Sequence, residues 1–208
     1  MTKIDFKKEW RHLFKPSSKE FEMVEVPGMN FIMVDGHGDP NTAESYLHAV
    51  EGLYAVAYKI KFHSKKDLGR DYVVPPLEGL WWAENMASFT KTRDKSVWDW
   101  TMMIMQPEWI GKEVLESVKA EIKKSKDLPA LPILRWEHCH EGLSVQILHI
   151  GSYDDEGPTI RKLHAEFLPE NKLVVAGKHH EIYLSDPRKT SPDKLKTILR
   201  QPVKSNPN

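Results

Sequence analysis

"WTMMIMQP" (residues 100–107) can be laid on "HEIYLSDP" (residues 180–187) so that Pro107 meets Pro187, Met103 meets Tyr183 and Thr101 meets Glu181. Few identities support the match, but the order of elements around each segment does. Before the first come "FEMVEVP" and "MNFIMVDG", which flank Pro27-Gly28 and read as a hairpin. A helix over 42–61 follows, with a capping-box pattern at Asn41 and Glu44 and Tyr46, Val50, Leu53, Tyr54 and Ala57 at helical spacing. The strands "YVVPPLEGLWWA" and "SVWDWTMMIM", joined by the polar loop "SFTKTRDK", and a helix in "WIGKEVLESVKAEIKKSK" complete the first half. After "DLPALP" the order starts again. "ILRWEHCH" and "LSVQILHIG" make a hairpin, a helix near 156–169 carries Ile160, Leu163, Phe167 and Leu168 inward, and "KLVVAG" and "KHHEIYLSDP" are strands. The tail "SPDKLKTILRQPV" reads as a helix through Leu195, Ile198 and Leu199.

Each half therefore reads as hairpin, helix, two strands, helix, which points to an internal duplication. The first unit spans 20–127, with an amphipathic helix over 3–15 (Phe6, Trp10, Leu13, Phe14) packed on it, and the second spans 133–208; together they make one domain. Two such units joined around a pseudo-twofold axis predict an α+β protein: an antiparallel sheet with helices on one side and a ligand groove on the other.

Composition narrows the function. The 30 basic and 30 acidic residues of this 208-residue chain cancel, so no sequence-wide basic field exists to draw in nucleic acid or a membrane surface. The single Cys139 forms no intramolecular disulfide, the N-terminus has no apolar signal region and no run reaches transmembrane length; a cytoplasmic protein, monomeric or weakly dimeric, is expected. Seven Trp are present, five of them between Trp81 and Trp109, enough to fill a core or to wall a pocket for a flat ligand.

Within "GKHHEIYLSDPRKT" (177–190), a period of two puts His179, Glu181, Tyr183 and Ser185 on one face and His180, Ile182 and Leu184 on the other. The second face reads as core, so the first is the candidate site. Trp81 or Trp82 would wall it; both could only do so if Gly79 made a bulge. Tyr54, His179, Met103 and Trp100 join the candidate lining, although Trp98 and Trp100 also suit packing under the helices. Glu78 is either a second cleft carboxylate or the acidic partner of a nearby Arg. His138 and His140, two apart on a strand, are a weak metal signal that predicts no metal site, and no cofactor motif is present.

The "HEIYLSDPR" strand, the "PLEGLWW" segment and the flanking "KIDFKKE" and "KLKTILRQPV" resemble the GyrI-like small-molecule-binding proteins. These share a fold with the gyrase inhibitory protein and with the drug-binding domains of multidrug-sensing transcription activators. The resemblance implies SHS2-type repeats, a stand-alone form, and an aromatic-walled cleft whose floor glutamate maps onto Glu181 and whose next aromatic maps onto Tyr183. It also implies an activity, the hydrolytic opening of the cyclopropane in flat, DNA-alkylating natural products. That chemistry asks for a base for water (Glu181), a donor where negative charge develops on oxygen (Tyr183 or a histidine) and a flat apolar cleft. The rival expectations are a non-catalytic drug-binding or sensing protein and a gyrase-inhibitor-like module that binds another protein.

Overall fold

The computed structural model describes residues 2–84 and 94–206. Nine strands lie among them: β1 (Glu22–Val26), β2 (Met29–His37), β3 (Leu77–Trp82), β4 (Asp99–Gln106), β5 (Arg135–Cys139), β6 (Gly142–Ile150), β7 (Leu173–Val175), β8 (His179–Tyr183) and β9 (Lys196–Ser205). Eight run in the order β1-β6-β9-β8-β3-β4-β2-β5, antiparallel throughout, and β7 pairs the far end of β9. The order reads the same from either end once β1 is exchanged with β5, β2 with β6, β3 with β8 and β4 with β9. The chain is thus α+β with a large antiparallel sheet, as expected, and its central seam is the β3–β8 pair.

The palindrome corrects three readings. Neither expected hairpin forms, because β1 pairs β6 and β5 pairs β2, each taking its partner from the other half. The tail is not a helix but β9. Ile198 and Leu199 are buried on opposite faces of a central strand, so apolar residues at 195, 198 and 199 imitate helical spacing. The counterpart of β8 is β3 rather than β4, so matching Thr101 to Glu181 joins strands that are not equivalent.

The long helix is α3 (Glu44–Asp67), about 36 Å at 1.5 Å per residue. Asp39, rather than an Asn41–Glu44 capping box, organises its start: the Asp39 carbonyl accepts from the Thr42 and Ala43 amides, and its side chain holds Asn41. Ala49, Leu53, Val56, Ala57 and Ile60 are fully buried against Ile32, Val34, Met102 and Ile104 of the sheet, each large apolar side chain contributing roughly 1.5–3 kcal/mol of burial. Helix α4 (Lys112–Lys123) adds Leu115, Val118 and Ile122 to the same core. In the second half α5 (Gly157–Lys162), a π-helical turn over Leu163–Phe167 and α6 (Leu168–Glu170) form one continuous helical stretch on the same face.

The opposite sheet face is covered as well. The N-terminal segment forms two short turns broken at Trp10, α1 (Phe6–Glu9) and α2 (Arg11–Phe14), whose Phe6, Leu13 and Phe14 pack on Phe31, Met33, Met103, Met105, Ile182 and Ile198. With that face filled, the groove has only one place to be. It opens on the helix-bearing face, between α3 and the helical stretch that starts at Tyr153, not on the far side. Most of the expected polar loop 88–95 lies outside the described residues.

Candidate functional site

Strand alternation decides which side chains reach the groove. Register along β3–β8 pairs Leu77 with Tyr183, Gly79 with Glu181 and Trp81 with His179, and all but the glycine point from the seam towards the helices. Leu77, Trp81, His179, Glu181 and Tyr183 therefore floor a cavity of about 780 Å³. One wall is the outward stripe of α3, Tyr46, Val50, Tyr54 and Tyr58, spaced four apart. The other wall carries Tyr153, Glu156 and Ile160, and the turn after β8, Ser185 to Lys189, forms the rim.

The floor is organised by hydrogen bonds. The Trp81 indole N–H donates to the Tyr183 hydroxyl at 3.0 Å, and that hydroxyl donates to Glu181 Oε2 at 2.8 Å. Gly79 makes the chain possible, since a Cβ there would lie 2.8 Å from Trp81 Nε1 and 3.1 Å from the Tyr183 oxygen. Edge-on rings complete the box: Tyr153 against Tyr183 at 5.7 Å and Trp98 against Trp81 at 5.9 Å. Burial and then the Glu181 charge push the Tyr183 phenol well above its ordinary pKa. Burial, then Glu156 and Glu181, push Tyr153 up to about 12, and burial followed by Glu181 raises Tyr46. All three hydroxyls keep their protons near neutrality and remain donors.

Glu181 is one-seventh exposed at its side chain, and its second oxygen, Oε1, lies 3.4 Å from His179 Nε2. Two cations of the lining are paired with acids: Lys95 with Asp154 at 2.9 Å, and Arg188 with Asp186 at 2.9 Å. Asp186 is held down to about 2 by the Arg188 hydrogen bonds.

Of the residues singled out from sequence, Glu181, Tyr183, Trp81, Tyr54 and His179 meet in this cavity. Four do not. Trp82 points through the opposite face, where Lys178 Nζ sits 3.1 Å from its ring centre; β3 keeps a continuous register through Gly79 and forms no bulge. Met103 is in the core under the N-terminal segment. Trp100 is completely buried behind the wall, its indole donating to the Gly38 carbonyl. Glu78, on the far face, lies 2.9 Å from His180 Nε2 and is not a cleft carboxylate, and among the described residues it pairs with no arginine. Tyr46, Tyr58, Trp98, Tyr153 and Glu156 were missed. The signal for the first two was present: position 58 extends the four-residue stripe of tyrosines and Val50, which is too aromatic for a solvated helix face.

Among the described residues no three His, Cys, Asp or Glu side chains converge to hold a metal ion, and no helix is long and apolar enough to cross a membrane. In the HxH segment, His138 Nδ1 is bound to Asn30 at 2.9 Å.

Comparison with known proteins places this geometry. The family model of the GyrI-like small molecule binding domain matches residues 19–204. A crystal structure of an uncharacterized conserved protein from Listeria innocua is 43% identical, with a TM-score of 0.88 over 97% of this chain and 100% of that one. Another from Listeria innocua, described as a hydrolase, is 42% identical, with a TM-score of 0.87 over 98% of this chain and 100% of that one. The EcmrR C-terminal domain, at 11% identity and a TM-score of 0.57 over 89% of this chain and 98% of that one, shares the fold alone. No curated protein matches the chain.

Proposed function

The chain belongs to the GyrI-like small molecule binding domain family, and on that premise we propose that its groove binds flat, hydrophobic molecules and hydrolyses the cyclopropane ring of alkylating, cyclopropane-fused dienones. The observation that carries the reading is the carboxylate on the floor of an aromatic box: Glu181, oriented by Tyr183 and, through it, by Trp81. The description of a 42%-identical relative as a hydrolase agrees with it. In the reaction the water oxygen bonds to the unsubstituted cyclopropane carbon. The bond from that carbon to the ring carbon shared with the dienone breaks, and its electron pair moves through the dienone to the carbonyl oxygen. Glu181 takes the water proton, the oxygen gains one from the groove or solvent, and the sum is addition of one water molecule.

For Tyr183 we propose a role other than donor to the product oxygen. Its proton is already committed to Glu181, so it holds the base in place. Substrate oxygen would instead meet Tyr46, Tyr54 or Tyr153, whose hydroxyls stay protonated on the walls. The aromatic faces align the electrophile, which lowers the barrier by prior orientation.

A cyclopropane-fused dienone incubated with the protein should yield its water adduct by mass spectrometry. Glu181→Gln should lower turnover by about 10² to 10⁴ while binding of a neutral planar ligand is kept. Undiminished hydrolysis in Glu181→Gln would end the general-base role. A second reading, binding of cationic aromatic molecules, is favoured by the two acids inside the cavity, Glu181 and the buried Glu156, while Lys95 and Arg188 are neutralised at the rim. It expects no water adduct, and a loss of affinity for planar cations in Glu181→Gln.

A further inference from the structure

His179 is 4% exposed, lines the groove beside Glu181, and has no hydrogen-bond partner for Nδ1 or for Nε2 among the described residues. A buried imidazole with both nitrogens unmatched forfeits about 1–3 kcal/mol per group, so its position calls for a partner that is not protein. The geometry says where. Glu181 uses Oε2 to accept from Tyr183, leaving Oε1 turned towards His179, and the 3.4 Å between Oε1 and Nε2 does not make a direct hydrogen bond. His179 Nε2 and Glu181 Oε1, side by side at the edge of an aromatic cavity, form a seat for one water molecule, which needs two to four polar partners to be held.

We propose that His179 and Glu181 Oε1 together hold the hydrolytic water, His179 fixing its oxygen while Glu181 receives its proton. The inference rests on the hydrolase reading for its chemistry and gives His179 a specific part in it: one water hydrogen points at Oε1, the imidazole nitrogen takes up a further hydrogen bond, and a lone pair of the water is left facing the groove. The proton passes to Glu181, the new carbon–oxygen bond forms, and His179 undergoes no net change. Tyr183 and Trp81 act one step behind, by fixing the carboxylate.

Two substitutions separate this from a packing role. His179→Phe keeps a ring of similar shape but no polar atom, whereas His179→Gln loses the ring and keeps an amide able to hold water. Turnover of a cyclopropane-fused dienone should fall on the order of 10²-fold in His179→Phe, the scale of a misplaced reactant, and less in His179→Gln; affinity for a neutral planar ligand, read by tryptophan fluorescence, should fall by far less than turnover in His179→Phe, which keeps the ring. The opposite order, with His179→Phe the more active, would mean that the ring matters only as filling and would overturn the proposal. A second arm does not depend on activity. High-resolution crystal structures of the full chain should show a water within hydrogen-bonding distance of both His179 and Glu181 Oε1 in the parent protein and lose it in His179→Phe. Its absence from the parent protein overturns the water seat. Its presence without any hydrolysis by the parent protein supports the seat and rejects the hydrolase reading.

Discussion

Tyr183 links an indole to a carboxylate, so Tyr183→Phe strands both neighbours. The Trp81 N–H loses its acceptor and Glu181 Oε2 its donor. Hydrogen bonds to charged groups are worth about 1.5–3 kcal/mol, so turnover should drop roughly tenfold or more, with planar-ligand affinity kept because the ring remains; single-turnover kinetics with fluorescence titration would show it. Gly79→Ala should damage the same chain from below, since its Cβ would meet Trp81 Nε1, the Tyr183 oxygen and Met102 Sδ, all within 3.2 Å. A Gly79→Ala protein that hydrolyses like the parent would show that this hydrogen-bond chain is unimportant. At this scale the sequence was legible where alternation operates: Glu181 and Tyr183 share a face because they are two apart. It was silent on which of Trp81 and Trp82 shares it, because both sheet faces are covered and an apolar residue suits either.

Helix α3 presents two faces with different duties. Leu53, Val56 and Ile60 serve the core, while Tyr46, Tyr54 and Tyr58 wall the groove. Tyr54→Ala should weaken planar ligands by up to about tenfold, one stacking contact being worth roughly 0.5–1.5 kcal/mol. Trp81→Ala should weaken them at least as much, because it also frees Tyr183. Trp82→Ala should leave affinity unchanged, as its ring lies under Lys178 on the other face. Equal titration curves for all three variants would contradict the assignment of the walls. Helix α3 was readable from its period, yet β9 was read as a helix. A central strand buried on both sides lacks the alternation that identifies an exposed one, and apolar spacing alone cannot separate the two.

Across the whole molecule, a buried charge network ties the back of the floor to the N-terminal segment. His180 lies 3.0 Å from Glu141 and 2.9 Å from Glu78, and Arg200 reaches Glu141, Gln146 and the Leu13 carbonyl. Burial opposes the charge on His180, but Glu141 and Glu78 outweigh it and push the imidazole up to about 9; burial opposes Glu141 too, but His180 and Arg200 hold it down to about 2. A raised histidine stabilises the fold fully below its unfolded value near 6.5 and loses that contribution as pH climbs towards 9. A lowered carboxylate stabilises fully above about 4.5 and loses it as pH falls towards 2. Urea midpoints should therefore peak between about pH 4.5 and 6.5, and His180→Gln should flatten the alkaline decline. We also propose the two units 20–127 and 133–208 as the repeats. Because β1 and β5 find their partners across that division, residues 1–132 alone should show no cooperative thermal transition as a monomer; one detected by circular dichroism would argue for independent halves. The sequence by itself determined the α+β class, the long helix and the face shared by Glu181 and Tyr183, all of which follow from local periodicity. Only the tertiary structure decided which strands pair, which face holds the groove, and that Glu78, Met103, Trp82 and Trp100 lie outside it. Those outcomes depend on contacts between residues far apart in the chain and on α1 and α2 filling the opposite face, and no spacing within a single segment encodes them.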